Sequence, residues 1–109
     1  MSRLTNIEFF AGEDIELEVT LSPAVNITTW TLTFTLKESL TAASALVTKT
    51  VGSGITITDG ANGIFVVSLP AASTNQTARK YVYDIWKTNS GGSAVLCNGQ
   101  CNIKARVKV

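Results

Sequence analysis

Few side chains in this chain could do chemistry, and their spacing narrows the options further. Two cysteines, Cys97 and Cys101, enclose Asn98-Gly99-Gln100. Two thiolates cannot close a four-ligand zinc site, and the chain has no histidine to complete one. The spacing also departs from the C-x-x-C of redox pairs. Two reduced thiols or a disulfide remain, and register decides between them. If Asn98-Gly99 forms a two-residue hairpin turn, Cys97 faces Gln100 and Cys101 faces Leu96, so the thiols point to opposite sides. A three-residue loop would instead bring them to bridging distance.

Two charged patterns invite a site reading. Asp14, Glu16 and Glu18 alternate with Ile15, Leu17, Val19 and Leu21, while Lys104, Arg106 and Lys108 alternate with Ile103, Ala105, Val107 and Val109. Calcium is held by oxygens converging from loops, whereas carboxylates on one strand face stand about 7 Å apart. The acidic face therefore reads as solvated surface or as a contact surface. The basic face is its cross-strand complement, and opposite charges across a ladder contribute about 0.2–1 kcal/mol per pair. The expectation is that these two strands are sheet neighbours, with Asp14, Glu16, Glu18, Lys104, Arg106 and Lys108 as the candidate partner-binding residues. Three cations without interleaved aromatics make too small a footprint to argue for nucleic acid.

Nucleophilic catalysis finds no support: no Gly-x-Ser-x-Gly elbow occurs, and without histidine the commonest general base is missing. The sequence implies a non-enzymatic chain with no cofactor and no resident metal. The triplets Asn26-Ile27-Thr28 and Asn75-Gln76-Thr77 fit the glycosylation pattern, but composition alone supplies about that many.

The elements that must carry these residues are strands. Fifteen Thr, ten Val and eight Ile make 33 of 109 residues β-branched, which favours a pleated surface over a helix. From Thr29 to Lys37 alternation is strict: Trp30, Leu32, Phe34 and Leu36 share one face, and the threonines with Lys37 share the other. Glu13 to Leu21 and Ile103 to Val109 alternate likewise. Shorter strands are expected over Ile55–Thr58, Ile64–Leu69, Tyr81–Lys87 and Ala94–Cys97, bounded by Gly- and Asn-rich turns. About seven to nine short strands at this spacing indicate an all-β sandwich or barrel within one domain over residues 1–109. Pro70 introduces one short helical turn around residues 70–78.

Charge and hydropathy exclude further classes. The net charge is +1 with only 16% charged residues, so neither nucleic acid nor an anionic membrane is expected as a partner. No apolar run approaches the ~20 residues of a membrane helix, and residues 1–8 lack the apolar stretch of a secretory signal.

In order, the chain offers Ala11-Gly12-Glu13-Asp14, Thr29-Trp30-Thr31 within an alternating strand, and Gly63-Ile64-Phe65-Val66-Val67-Ser68-Leu69. Tyr81-Val82-Tyr83-Asp84-Ile85 follows, and then a Gly-containing terminal stretch. This order resembles the small immunoglobulin-like modules of tailed-phage virions, including the N-terminal domain of baseplate upper proteins. The resemblance spans about residues 8–109. It implies an immunoglobulin-like antiparallel β-sandwich located in the virion as a capsid-decorating, adaptor, tail or baseplate component. Its partners would be other virion proteins or further copies of itself. Baseplate upper proteins continue into further segments, and this sequence stops at Val109. An adhesion or carbohydrate-recognition immunoglobulin-like domain is the alternative, and it requires exposed aromatic rings.

The aromatics Trp30, Tyr81, Tyr83 and Trp86 are expected in the core, as sandwiches bury their rings. Asp84, alternating with Val82 and Trp86, is expected to bond backbone near a strand end. If Trp30 is fully buried, Trp30→Ala should lower unfolding free energy in urea by about 3–5 kcal/mol; a loss below about 1 kcal/mol would mark it as surface.

Overall fold

The computed structural model describes residues 6–21, 23–89 and 91–105. Eight strands follow in order: β1 (Ile7–Phe10), β2 (Ile15–Thr20), β3 (Thr31–Lys37), β4 (Val47–Val51), β5 (Gly54–Asp59), β6 (Ile64–Leu69), β7 (Arg79–Asn89) and β8 (Gly92–Lys104). A 3₁₀ turn at Gly60–Asn62 joins β5 to β6, and a one-turn helix, α1 (Ala71–Thr74), follows β6. The fold is all-β, and the helical turn falls inside the 70–78 window expected from Pro70.

All eight strands lie in one hydrogen-bonded sheet of order β1-β8-β7-β3-β4-β5-β6-β2. Each long strand buries one face: Leu32, Phe34 and Leu36 of β3, Phe65, Val67 and Leu69 of β6, and Tyr81, Tyr83 and Ile85 of β7. The one short helix among the described residues cannot cover that face, so the sheet folds over and covers itself. These side chains meet in a single cluster that also takes in Ile27, Ile55, Leu96, Cys101 and Ile103. The shortest junction in the sheet is that of β4 and β5, a parallel contact of only two pairs, Thr50 with Gly54 and Val51 with Ile55. At the far end of β5, Gly63 adopts φ +74°, and a Cβ there would stand 2.9 Å from the Val25 carbonyl oxygen, so only glycine fits without a shift.

The alternating segments Glu13–Leu21 and Thr29–Lys37 become β2 and β3, Ile103 and Lys104 end β8 while residues 106–109 lie outside the described residues, and three details differ from expectation. β3 begins at Thr31 rather than Thr29. Asn26 Oδ1 accepts from the Thr28 amide (3.0 Å) and hydroxyl (2.8 Å), and the Trp30 amide donates to the Ile27 carbonyl (3.0 Å), which closes a turn up to Trp30. Trp30 is therefore half-buried at the strand's entrance, with Lys87 Nζ 4.9 Å from its ring centroid. Second, β1 and β4 carry no clear signal in the sequence, because one is four residues long and the other places Lys49 at an inward position opposite Phe34.

The third difference concerns the cysteines. No hairpin turn occurs at Asn98-Gly99; β8 runs unbroken through it, with Asn98 opposite Asp84 and Gly99 opposite Tyr83. The ladder of the eleven-residue β7 outcompetes the local turn signal. Cys97 and Cys101 therefore sit four residues apart on one strand, about 13 Å by strand rise, and both thiols are free and buried on the same face. Cys97 Sγ lies 3.3 Å from the Tyr83 hydroxyl. The bulge opposite Ile85 and Trp86 lets adjacent Leu96 and Cys97 both point inward. The Tyr81 hydroxyl donates back to the Thr77 carbonyl oxygen (2.5 Å), locking the approach to β7.

Burial pushes the Cys101 thiol up to about 12 from an ordinary 9.0. The folded state thus keeps a proton that the unfolded chain releases, and stability should fall as pH rises from about 9 towards 12. Consistently, neither thiol should react with a thiol-specific chromogen at pH 8 until denaturant is added. Being half-buried, Trp30 should cost about 1–3 kcal/mol on replacement by Ala in urea titrations, less than a core tryptophan would.

Candidate interaction surface

The side chains opposite the core form a face over β1, β8, β7, β3 and β4 that no other element among the described residues covers. Register sets its rows. Thr50, Thr33, Trp86 and Val95 form one, and Thr48, Thr35, Asp84 and Asn98 the next. Lys37, Val82 and Gln100 form a third. Below them Glu8 pairs with Asn102 and Phe10 with Lys104. Each β-branched residue here follows from the strand preference for branched side chains, and the bulge in β8 turns Val95 outward beside Trp86.

This surface reverses part of the aromatic expectation. Tyr81 and Tyr83 are buried, the latter stacked on Phe34 with ring centroids 5.7 Å apart. Trp86, expected inside, is 40% exposed, and Phe10 is 42% exposed. The period of two decides it: Tyr81, Tyr83 and Ile85 claim the inner face of β7, so Trp86 must face out. Asp84 shares that outer face in mid-strand, not at a strand end as expected. Partial burial among its neighbours pushes its carboxyl above the ordinary 3.8, partly offset by Lys37.

The four candidate partner residues among the described residues, Asp14, Glu16, Glu18 and Lys104, are not brought together. β2 pairs with β6 and forms one end of the sheet order, whereas β8 lies next to the other end. Ile103 and Lys104, the part of the expected C-terminal strand that lies in β8, are therefore not neighbours of β2 as expected, and residues 106–109 lie outside the described residues. β6 matches β2 residue for residue from Ile15–Leu69 to Thr20–Ile64, and β8 is flanked by β7 and β1. Asp14 is occupied structurally: its Oδ1 accepts from the Ala71 amide (2.6 Å), doing for α1 what Pro70 at the N-cap cannot. Thr74 adds a hydroxyl bond to the Glu13 carbonyl. Glu16 is exposed beside Ser68, and Asp14, Glu16 and Lys49 all line an open cleft of about 600 Å³. Glu18 is exposed. Lys104 pairs with Glu8 (3.3 Å) and lies 5.0 Å from the Phe10 ring centroid, so β8 does find an acidic neighbour, on β1. Arg106 and Lys108 lie outside the described residues.

Sequence reasoning also passed over Leu40, 84% exposed in the β3–β4 loop amid alanines. An apolar run between two strands was its only signal. Among the described residues no group of three His, Cys, Asp or Glu side chains could hold a metal ion, and no helix is long and apolar enough to cross a membrane. Compared with models of known protein families and with curated protein sequences, the chain matches none.

Because the Asp84 carboxyl holds its proton more tightly folded than unfolded, its contribution to stability is present below about pH 4 and lost as pH rises through its folded pKa. Asp84→Asn should therefore gain stability relative to the parent at pH 7 and lose that advantage at pH 3. Paired urea titrations at the two pH values check this.

Proposed function

We propose that this chain is an immunoglobulin-like β-sandwich serving as a non-enzymatic structural protein of a tailed-phage virion, working through protein–protein contacts. The observation that carries the fold part is a strand order joined to one hydrogen bond. β8-β7-β3 lie side by side with β4 beyond them, and β2-β6-β5 form the other group. These match the G-F-C and B-E-D groupings of immunoglobulin sandwiches. The bond from the Tyr81 hydroxyl to the Thr77 carbonyl near the start of β7 matches their tyrosine corner.

The role as a contact module draws on what the sheet leaves outside. Trp86, Phe10 and Val95 sit among threonines and amides, a composition suited to packing against another protein surface. A glycan-recognition reading has one observation in its favour, the exposed Trp86 ring next to Asp84 and Asn98. Titration of tryptophan fluorescence with oligosaccharides, against Trp86→Ala, distinguishes it.

The virion reading is tested by copurification with assembled phage particles and by counting copies per particle. Stoichiometric retention through a density gradient is the expected result. Copies on the order of hundreds indicate the capsid surface, and a small multiple of six indicates tail or baseplate. Absence from washed particles overturns it.

A further inference from the structure

The strand β2 ends the sheet without being finished. Among the described residues it pairs only with β6, so the backbone groups of alternate residues along its other edge meet no strand. The core is also thin there. Ile15, Leu17 and Val19 are only partly buried, whereas the corresponding inward residues of β3 and β6 are fully buried. An edge with open hydrogen-bonding groups, half-covered apolar side chains inside and Glu16 and Glu18 outside specifies its complement: an extended segment alternating apolar and basic residues.

The chain contains such a segment. Residues 104–109 read Lys-Ala-Arg-Val-Lys-Val. Laid antiparallel on β2, they match it over its whole length. Ala105, Val107 and Val109 meet Val19, Leu17 and Ile15, while Arg106 meets Glu18 and Lys108 meets Glu16.

Strand directions decide whose tail this is. Through the ladder pairings β2 runs opposite to β8, so an antiparallel partner of β2 must run in the direction of β8 and start beside Thr20. In the same copy the tail leaves β8 at the wrong end. The Lys104 carbonyl accepts from the Ala11 amide (2.9 Å), only a few residues before β2 begins at Ile15. Residues 105–109 span at most about 18 Å fully extended, too little to reach Thr20 of their own copy and then run back along β2.

We propose that residues 105–109 of one copy add as an antiparallel strand to the β2 edge of a second copy, linking copies head to tail. The interface is heterologous, since each copy contributes one edge and one tail, and it builds a ring or an open chain according to the rotation per step. This deepens the contact-module reading without resting on the virion assignment: if it fails, copurification with particles is untouched.

Sedimentation velocity of the full chain across concentration and salt tests it, with far-UV circular dichroism to confirm that each variant folds. The parent chain should self-associate reversibly and lose affinity at high salt. Glu16→Lys/Glu18→Lys and Arg106→Glu/Lys108→Glu should each weaken association at least tenfold. Their equimolar mixture should recover it, because both edge–tail combinations between the two variants are again complementary. Asp14 is left intact because it holds α1. A parent chain that stays monomeric at millimolar concentration overturns the proposal. So does association that survives deletion of residues 105–109, or a mixture of the charge variants that fails to recover.

Discussion

Two backbone pairings between β4 and β5, Thr50 with Gly54 and Val51 with Ile55, join two groups of strands that would otherwise be separate sheets. A sheet that is apolar on one face, with no helical layer among the described residues, has to cover that face with itself. The two pairs between β4 and β5 hold the sheet together least, so a turn of one group over the other costs the fewest ladder bonds there. Lys49 marks the same place: its aliphatic stem packs where a Cβ on Gly54 would otherwise fall, 2.5 Å from Lys49 Cδ. On either side of this junction the alternation of every strand is committed to one core, and the outward face of each follows from it.

That commitment explains the outer surface. On β7 the three inward positions go to Tyr81, Tyr83 and Ile85, which pack with Phe34 and the β8 residues opposite them. Trp86 is left outside because its neighbour Ile85 is inside, whatever the preference of an indole for burial. The bulge at Leu96 shifts the alternation of β8 by one and brings Val95 to the same outer row. Exposed apolar side chains here are consequences of strand parity, and they give the chain a surface suited to contact.

The charged strands show how a pattern can be legible without its partner being so. Alternation of acidic and apolar residues in β2 correctly marked an extended segment with one charged face, and the basic alternation that begins at Ile103 enters β8 as far as Lys104. Their complementarity invited direct pairing, yet β2 went to β6, whose Ile64, Val66 and Ser68 carry no charge opposite Thr20, Glu18 and Glu16. Cross-strand charge contributes tenths of a kcal/mol to about one, and the placement of a whole strand is decided by the larger apolar burial of its other face.

The sequence by itself determined the local facts: all-β architecture, strand position and parity for β2, β3 and β6, the helical turn after Pro70, and the lack of histidine chemistry. Each depends on periodicity or on a single residue's geometry, which act within a few residues. Tertiary structure decided which strands adjoin and hence where Asp14, Glu16 and Lys104 find partners. It also decided that Asn98-Gly99 lies inside a strand, because an eleven-residue ladder outweighs a two-residue turn preference. The short strands β1 and β4 needed it most, since four or five residues cannot declare an inner face until a neighbouring strand supplies one.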